Sequence, residues 1–277
     1  MLSTMYTYVR ALSLDVVLGA VVCCAFLGRL LQVHIPGAVY WCLALAVWVV
    51  YTLDHLWDAY RLQERARSFR HRYHYRHFNI LMVLVAVGIL AGILISRQLP
   101  EMVLTWGSII SALVCGYFIM MMFLGTAVKY FKEIIVSLVY ATGVFTAPIT
   151  MSPYPIEGWL VLMFLQFTLL AMVNLLEFSY FEMEQDQQHK FGSAVISWGK
   201  KQTRMVVVIA IILVVSLSAI SFMIWPHIPA VVEAQLIFLV MALMLGLIIL
   251  LPDFFMDRER FRVLGDGIFL IPAIFLL

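Results

Sequence analysis

Charged side chains are scarce in this chain. Asp, Glu, Lys and Arg make up 12% of its 277 residues, where an ordinary soluble domain carries roughly 25%. That deficit excludes the soluble enzyme classes. Cysteine is also sparse: Cys23, Cys24, Cys42 and Cys115 all fall inside apolar runs. None sits in a loop at disulfide or zinc spacing, so helix packing is their reading. There is no phosphate-cradling Gly-rich loop, no Gly-x-Ser-x-Gly elbow and no Cys-x-x-Cys pair. The basic loops are too short and too close to apolar segments to serve nucleic acid. What fills the chain instead is apolar: 64% of residues are hydrophobic and the mean hydropathy is +1.00. Apolar runs of about 20 residues cross a bilayer as helices, because lipid offers the backbone no hydrogen-bond partners. The fold class is therefore all-α, one integral-membrane domain over residues 1–277.

Nine apolar segments are expected, near 12–33, 38–58, 78–96, 102–124, 134–151, 158–181, 204–225, 230–251 and 266–277. Short turns rich in Pro and Gly separate several of them, such as His34-Ile35-Pro36-Gly37 and Pro226-His227-Ile228-Pro229. No Ala-x-Ala-like site follows the first segment, so it reads as a retained helix rather than a cleaved signal. Nine alternating spans place Arg10 and the loops after spans two, four, six and eight on one side. All but two (Arg29 and Arg97) of the 18 Lys and Arg then share that side. The positive-inside rule makes it cytoplasmic, with the N-terminus inside and the C-terminus outside.

Two acidic clusters close apolar runs on that same side. Asp54-His55-Leu56-Trp57-Asp58 ends the second span, and Glu182-Met183-Glu184-Gln185-Asp186 ends the sixth. Asp54 and Asp58 are four residues apart and share a helix face, as do Glu182 and Asp186. Glu184 points about 200° from Glu182 on an ideal helix, away from that face unless the helix unwinds. Carboxylates near the bilayer are functional candidates by default. Paired carboxylates beside a diphosphate are also what Mg²⁺ requires, since it takes hard oxygen ligands and shares them with substrate phosphates. A surface ion cluster with Arg61 or the loop arginines is the competing reading. Asn174 and Glu177, deeper in the sixth span, suit either interhelical hydrogen bonding or pocket lining. The loop Arg70-His71-Arg72-Tyr73-His74-Tyr75-Arg76-His77 suits a lid or diphosphate clamp, or a basic strip on anionic headgroups, better than a zinc site.

These features together resemble the UbiA superfamily of intramembrane prenyltransferases. The second cluster carries the resemblance best: Glu182-x-Glu184-x-Asp186 is similar to the family's Asp-x-Glu-x-Asp. It is followed by Gly192-Ser193-Ala194-Val195-Ile196-Ser197-Trp198-Gly199, where the family has a Gly/Thr stretch and a turn ending in Leu-Gly. The first cluster departs from Asn-Asp-x-x-Asp-x-x-x-Asp. It keeps Asp54 and Asp58 but has Val50 and Tyr51 in place of the leading Asn-Asp.

The resemblance implies a nine-helix bundle and transfer of an isoprenoid chain from a prenyl diphosphate to a lipophilic acceptor within the bilayer. It implies Mg²⁺ on Asp54, Asp58, Glu182 and Asp186, and diphosphate donors from Lys129, Lys132, Arg61 and Arg70. Tyr51 and Asn174 would line the pocket. The missing Asn-Asp supports an alternative, a catalytically degenerate member that binds an isoprenoid lipid or a membrane partner. A transporter with acids at mid-membrane is a third reading, and the rim position of the acids disfavours it. No motif sets an oligomeric state.

Overall fold

A computed structural model describes residues 2–62, 69–123, 132–189 and 192–276. Among the described residues every regular element is helical. In chain order they are α1 (Leu2–Ala11), α2 (Leu14–Leu30), α3 (Gly37–Leu62), α4 (Phe69–Arg76), α5 (Phe78–Ser96), α6 (Glu101–Phe123) and α7 (Lys132–Thr150). Then come α8 (Gly158–His189), α9 (Ala194–Trp198), α10 (Lys200–Ile224), α11 (Pro229–Leu250), α12 (Pro252–Met256) and α13 (Arg260–Gly267). Two 3₁₀ turns, Asp257–Glu259 and Ile268–Phe275, flank α13.

Seven of these helices are long and apolar enough to cross a membrane, or eight if the bent pair α1 and α2 forms one span. The chain is an integral membrane protein. The expected ninth span differs. The last apolar run is wound differently along its described length: the short α13 runs into a 3₁₀ stretch that contains Pro272. Proline lacks the N–H an α-helical bond needs, and the tighter winding accommodates it.

α8 is the axis of the bundle. It packs against α7, α10, α11 and α13, and 50% of its apolar window is buried, against 6% for α6. Leu160, Met163, Phe167, Leu170, Asn174, Glu177 and Phe181 form a buried stripe along it at three- and four-residue spacing. α5 and α6 instead present Ile80, Val83, Leu90, Leu94, Trp106 and Leu113 outward. In a soluble protein such faces would aggregate; here they meet lipid tails.

Lipid removes most of the hydrophobic drive between helices, so packing and interhelical hydrogen bonds hold them together. Gln166 of α8 and Gln235 of α11 exchange reciprocal amide bonds of 2.8 and 2.9 Å. Gln166 Nε2 also donates to Ser218 Oγ (2.9 Å) and to the Val214 carbonyl (3.2 Å) on α10. This clasp ties three helices deep in the bundle. Two glycines permit local geometry that other residues would strain. Gly199 has φ +82° at the junction of α9 and α10. At Gly265 a Cβ would fall 2.4 Å from Asn174 Oδ1 and 2.7 Å from Phe178 Cε1, so α13 can lie on α8 only without one.

The entry to the bundle is sharply bent. α1 and α2 meet at 73°, and Ser13 at the corner is left-handed (φ 54°, ψ 27°). Its hydroxyl lies 3.2 Å from His55 Nε2 on α3, which ties the corner to the helix carrying the first acidic cluster.

Candidate active site

One cavity of about 330 Å³ opens at the end of the bundle where the acidic clusters lie. Asp54 and Asp58 come from the last turns of α3, and Glu182 and Asp186 from the last turns of α8; all four line it. Helical spacing explains this convergence, since each pair faces inward from one side of its helix. α8 stays helical through His189, so Glu184 points out. It is 82% exposed and pairs with Lys200 at 3.6 Å.

The cavity walls also include Tyr51, Arg61, Arg70, Lys132, Asn174 and Ser193. Lys129 lies outside the described residues. Lys132, the first residue of α7, reaches Asp54 Oδ2 at 3.2 Å and Oδ1 at 3.4 Å. Its charge also acts on Asp58 and Asp186, so one ammonium serves both clusters. Glu182 pairs with Arg262 of α13, whose guanidinium lies 5.5 Å from the ring centres of both Phe178 and Phe261. Asp58 and Asp186 have no such ion pair among the described residues. Glu177 is buried outside the cavity lining, and among the described residues no hydrogen bond reaches its carboxylate.

The His/Arg loop forms α4 and presents two faces. Arg70 and His71 line the cavity while Arg72, Tyr75 and Arg76 are exposed. α4 packs on α1 and α3, and Tyr8 of α1 sets its ring edge-on to Phe69 (5.5 Å) and Tyr73 (5.7 Å). The two short helices thus cover one side of the cavity mouth. His74 is fully buried, with Nδ1 donating to the Arg70 carbonyl at 2.9 Å. Burial holds its imidazole below the usual histidine range.

Three features of the cavity have no counterpart in the two motifs. Glu133 accepts from Ser179 Oγ (2.6 Å) and from the Ala194 N–H (3.1 Å), pinning α7 to α8 and to the start of α9. Arg10 and Arg262 enter from α1 and α13, and Asp15 and Asp266 from α2 and α13. The signal for the last two was present: each is a carboxylate set in or against an apolar run, the same criterion that picked out Asp54 and Asp186.

The donor set suits a Mg²⁺ shared with a substrate better than a free-standing metal centre. Among the described residues no three His, Cys, Asp or Glu side chains gather as a metal cluster. Magnesium needs only one or two carboxylates when phosphate oxygens complete its shell. Asp58 and Asp186 are oxygen donors not engaged by an ion pair, and Asp54 and Glu182 stand beside them. The residues fit on that condition.

No family profile and no curated protein sequence matches the chain. Solved structures do. A UbiA homolog from Archaeoglobus fulgidus, bound to GPP and Mg²⁺, superposes with a TM-score of 0.65 at 10% identity, over 97% of this chain and 98% of that one. This is the UbiA fold. The apo structure of a UbiA homolog from Aeropyrum pernix K1 agrees, with a TM-score of 0.64, 15% identity, and 95% and 96% of the two chains covered. Near-complete coverage in both directions means the bundle matches as a whole. The UbiA fold here includes α13 and the 3₁₀ stretch, which contribute Arg262, Asp266 and Phe269 to the cavity lining.

Proposed function

We propose that the chain is a Mg²⁺-dependent intramembrane prenyltransferase that joins an isoprenoid chain to a lipophilic acceptor. The observation that carries this reading is the convergence of Asp54, Asp58, Glu182, Asp186 and Lys132 on one cavity that also has apolar lining. Val50 of α3, Val114 and Phe118 of α6, and Val136 and Val139 of α7 belong to that lining. An isoprenoid tail fits there, and its diphosphate fits at the charged rim, which the distribution of Lys and Arg assigns to the cytoplasmic face. The neighbour with GPP and Mg²⁺ bound supports the same ligand class.

Lys132, Arg70 and Arg61 supply cationic donors for the diphosphate oxygens. Mg²⁺, held by Asp58 and Asp186 with Asp54 and Glu182, would neutralise the diphosphate as it leaves. The allylic C–O bond breaks with its electron pair on the diphosphate, and Tyr51, Trp57 and Phe178 offer ring faces to the charge left on carbon. Apolar walls limit water, which would otherwise compete with the acceptor.

Purified protein in detergent is expected to release pyrophosphate from geranyl, farnesyl or longer diphosphates only with Mg²⁺ and a suitable acceptor. Asp54→Ala and Asp186→Ala should abolish release while the protein remains folded. A second reading, a binding protein of the same fold without turnover, is favoured by the missing Asn-Asp and by the Lys132–Asp54 and Arg262–Glu182 pairs. Tight Mg²⁺-dependent binding of prenyl diphosphate with no turnover across a broad acceptor panel would select it.

A further inference from the structure

In the same cavity, two carboxylates stand outside both motifs. Asp15 comes from the first turn of α2 and Asp266 from α13, which packs against α2. Both line the cavity and lie close enough for each charge to act on the other. Asp15 is only 8% exposed. Its Oδ1 accepts from the Val16 N–H at 3.0 Å, and its Oδ2 has no hydrogen-bond partner among the described residues. Three arginines, Arg10, Arg70 and Arg262, lie within electrostatic reach of the pair, and two of them are paired with other carboxylates. Arg10 pairs with Glu259 at 2.9 Å and Arg262 with Glu182. Asp266 has no ion pair or hydrogen bond with any described residue. A buried carboxylate oxygen without a donor costs free energy unless a ligand supplies one.

The surrounding wall indicates what kind of ligand. Tyr140 and Phe269 line the same side of the cavity with their rings 5.5 Å apart and edge-on. The Tyr140 hydroxyl is buried and likewise without a partner. An apolar, aromatic slot with carboxylate acceptors at its end suits a lipophilic molecule carrying O–H or N–H donors. It repels an anion.

We infer that Asp15 and Asp266 form the acceptor subsite, selecting a neutral or cationic lipophilic acceptor with hydroxyl or amine donors and rejecting carboxylate-bearing ones. This rests on reading the cavity as a prenyl-transfer site. In the transfer, the bond from the allylic carbon to the diphosphate oxygen breaks and leaves its electron pair on the diphosphate. The bond from that carbon to the acceptor forms, and the proton displaced from the acceptor passes to an oxygen of Asp15 or Asp266.

The test uses full-length protein in detergent and three matched probes: 4-hexylresorcinol, its dimethyl ether, and its ring-carboxylated analogue. Binding of each is measured by titration calorimetry, alongside Mg²⁺-dependent binding of farnesyl thiodiphosphate. Hexylresorcinol is expected to bind roughly tenfold or more tightly than the other two, the usual effect of a hydrogen bond to a charged group. Asp15→Asn and Asp266→Asn should erase most of that preference and leave thiodiphosphate affinity and the thermal midpoint within twofold and a few degrees of the parent. Equal binding of all three probes, or a preference for the carboxylate, overturns the inference. So does a variant whose only change is a higher Mg²⁺ requirement, which would assign the pair to the metal. Failure of the thiodiphosphate to bind at all would sink the transferase reading instead, while the probe series still reports on the subsite.

Discussion

Replacing Lys132 with Met removes an ammonium that serves both acidic clusters. At 3.2 Å from Asp54 Oδ2, a unit charge pair in a medium of effective dielectric 20 is worth about 5 kcal/mol. That figure needs discounting, because the two side chains are 32% and 27% exposed and such pairs contribute roughly 0–1 kcal/mol to folding. The folded bundle should therefore survive, with a thermal midpoint lowered by only a few degrees. Ligand binding is a different matter. A charge-assisted bond to diphosphate is worth about 1.5–3 kcal/mol, which corresponds to roughly 10- to 150-fold in Kd. The loss also leaves Asp54, Asp58 and Asp186 facing the incoming anion without their shared counter-charge. Lys132→Met is thus expected to weaken Mg²⁺-dependent binding of farnesyl thiodiphosphate by at least tenfold, and Lys132→Arg to restore most of it. Calorimetry on detergent-purified protein reads this directly. A Kd within twofold of the parent, with the protein folded, would refute the assignment of Lys132 to the diphosphate.

Gly265→Val should separate α13 from α8, because its Cβ would overlap Asn174 and Phe178. A loss of about 1–3 kcal/mol should appear as a lower thermal midpoint, and an unchanged midpoint would contradict the close packing. Glu133→Ala strands the Ser179 hydroxyl and the Ala194 N–H; at roughly 1–3 kcal/mol per stranded group, it should destabilise far more than Glu133→Gln. If the two variants melt together, the pinning role is wrong. Burial keeps His74 neutral in the folded protein, so below about pH 6.5 the unfolded chain takes up a proton the native state refuses. Stability should therefore be full above that pH and decline as pH falls toward the depressed native value. His74→Leu should flatten the decline in midpoint between pH 7 and 5.5, and an identical slope in both proteins would count against it.

Where the chemistry was periodic, the sequence could be read. Runs such as 78–96 coincide with α5 because nothing inside them interrupts an apolar helix. The four-residue spacing of Asp54 with Asp58, and of Glu182 with Asp186, was enough to aim each pair. What the sequence hid depends on long-range packing. α1 lacks a continuous apolar run, and α4 is dominated by Arg and His; both become ordered against neighbours distant in sequence. The winding of the last apolar run was not legible in its composition: it falls across the end of α13 and a 3₁₀ stretch that contains Pro272. The partners of the acids were equally hidden. Nothing local in Arg262 announces Glu182, and nothing in Glu133 announces the N–H of Ala194.

The single rod formed by α8 carries Gln166 at one depth and Glu182 and Asp186 at another, with no break in between. Phase is therefore rigidly inherited from the glutamine to the carboxylates. Inserting one residue between them would swing everything beyond by about 100°, turning the acids toward a neighbouring helix while the clasp stayed put. Length changes across this stretch should be silenced by loss of function, whereas the exposed turn at 153–155, on the other side of the clasp, should accept them.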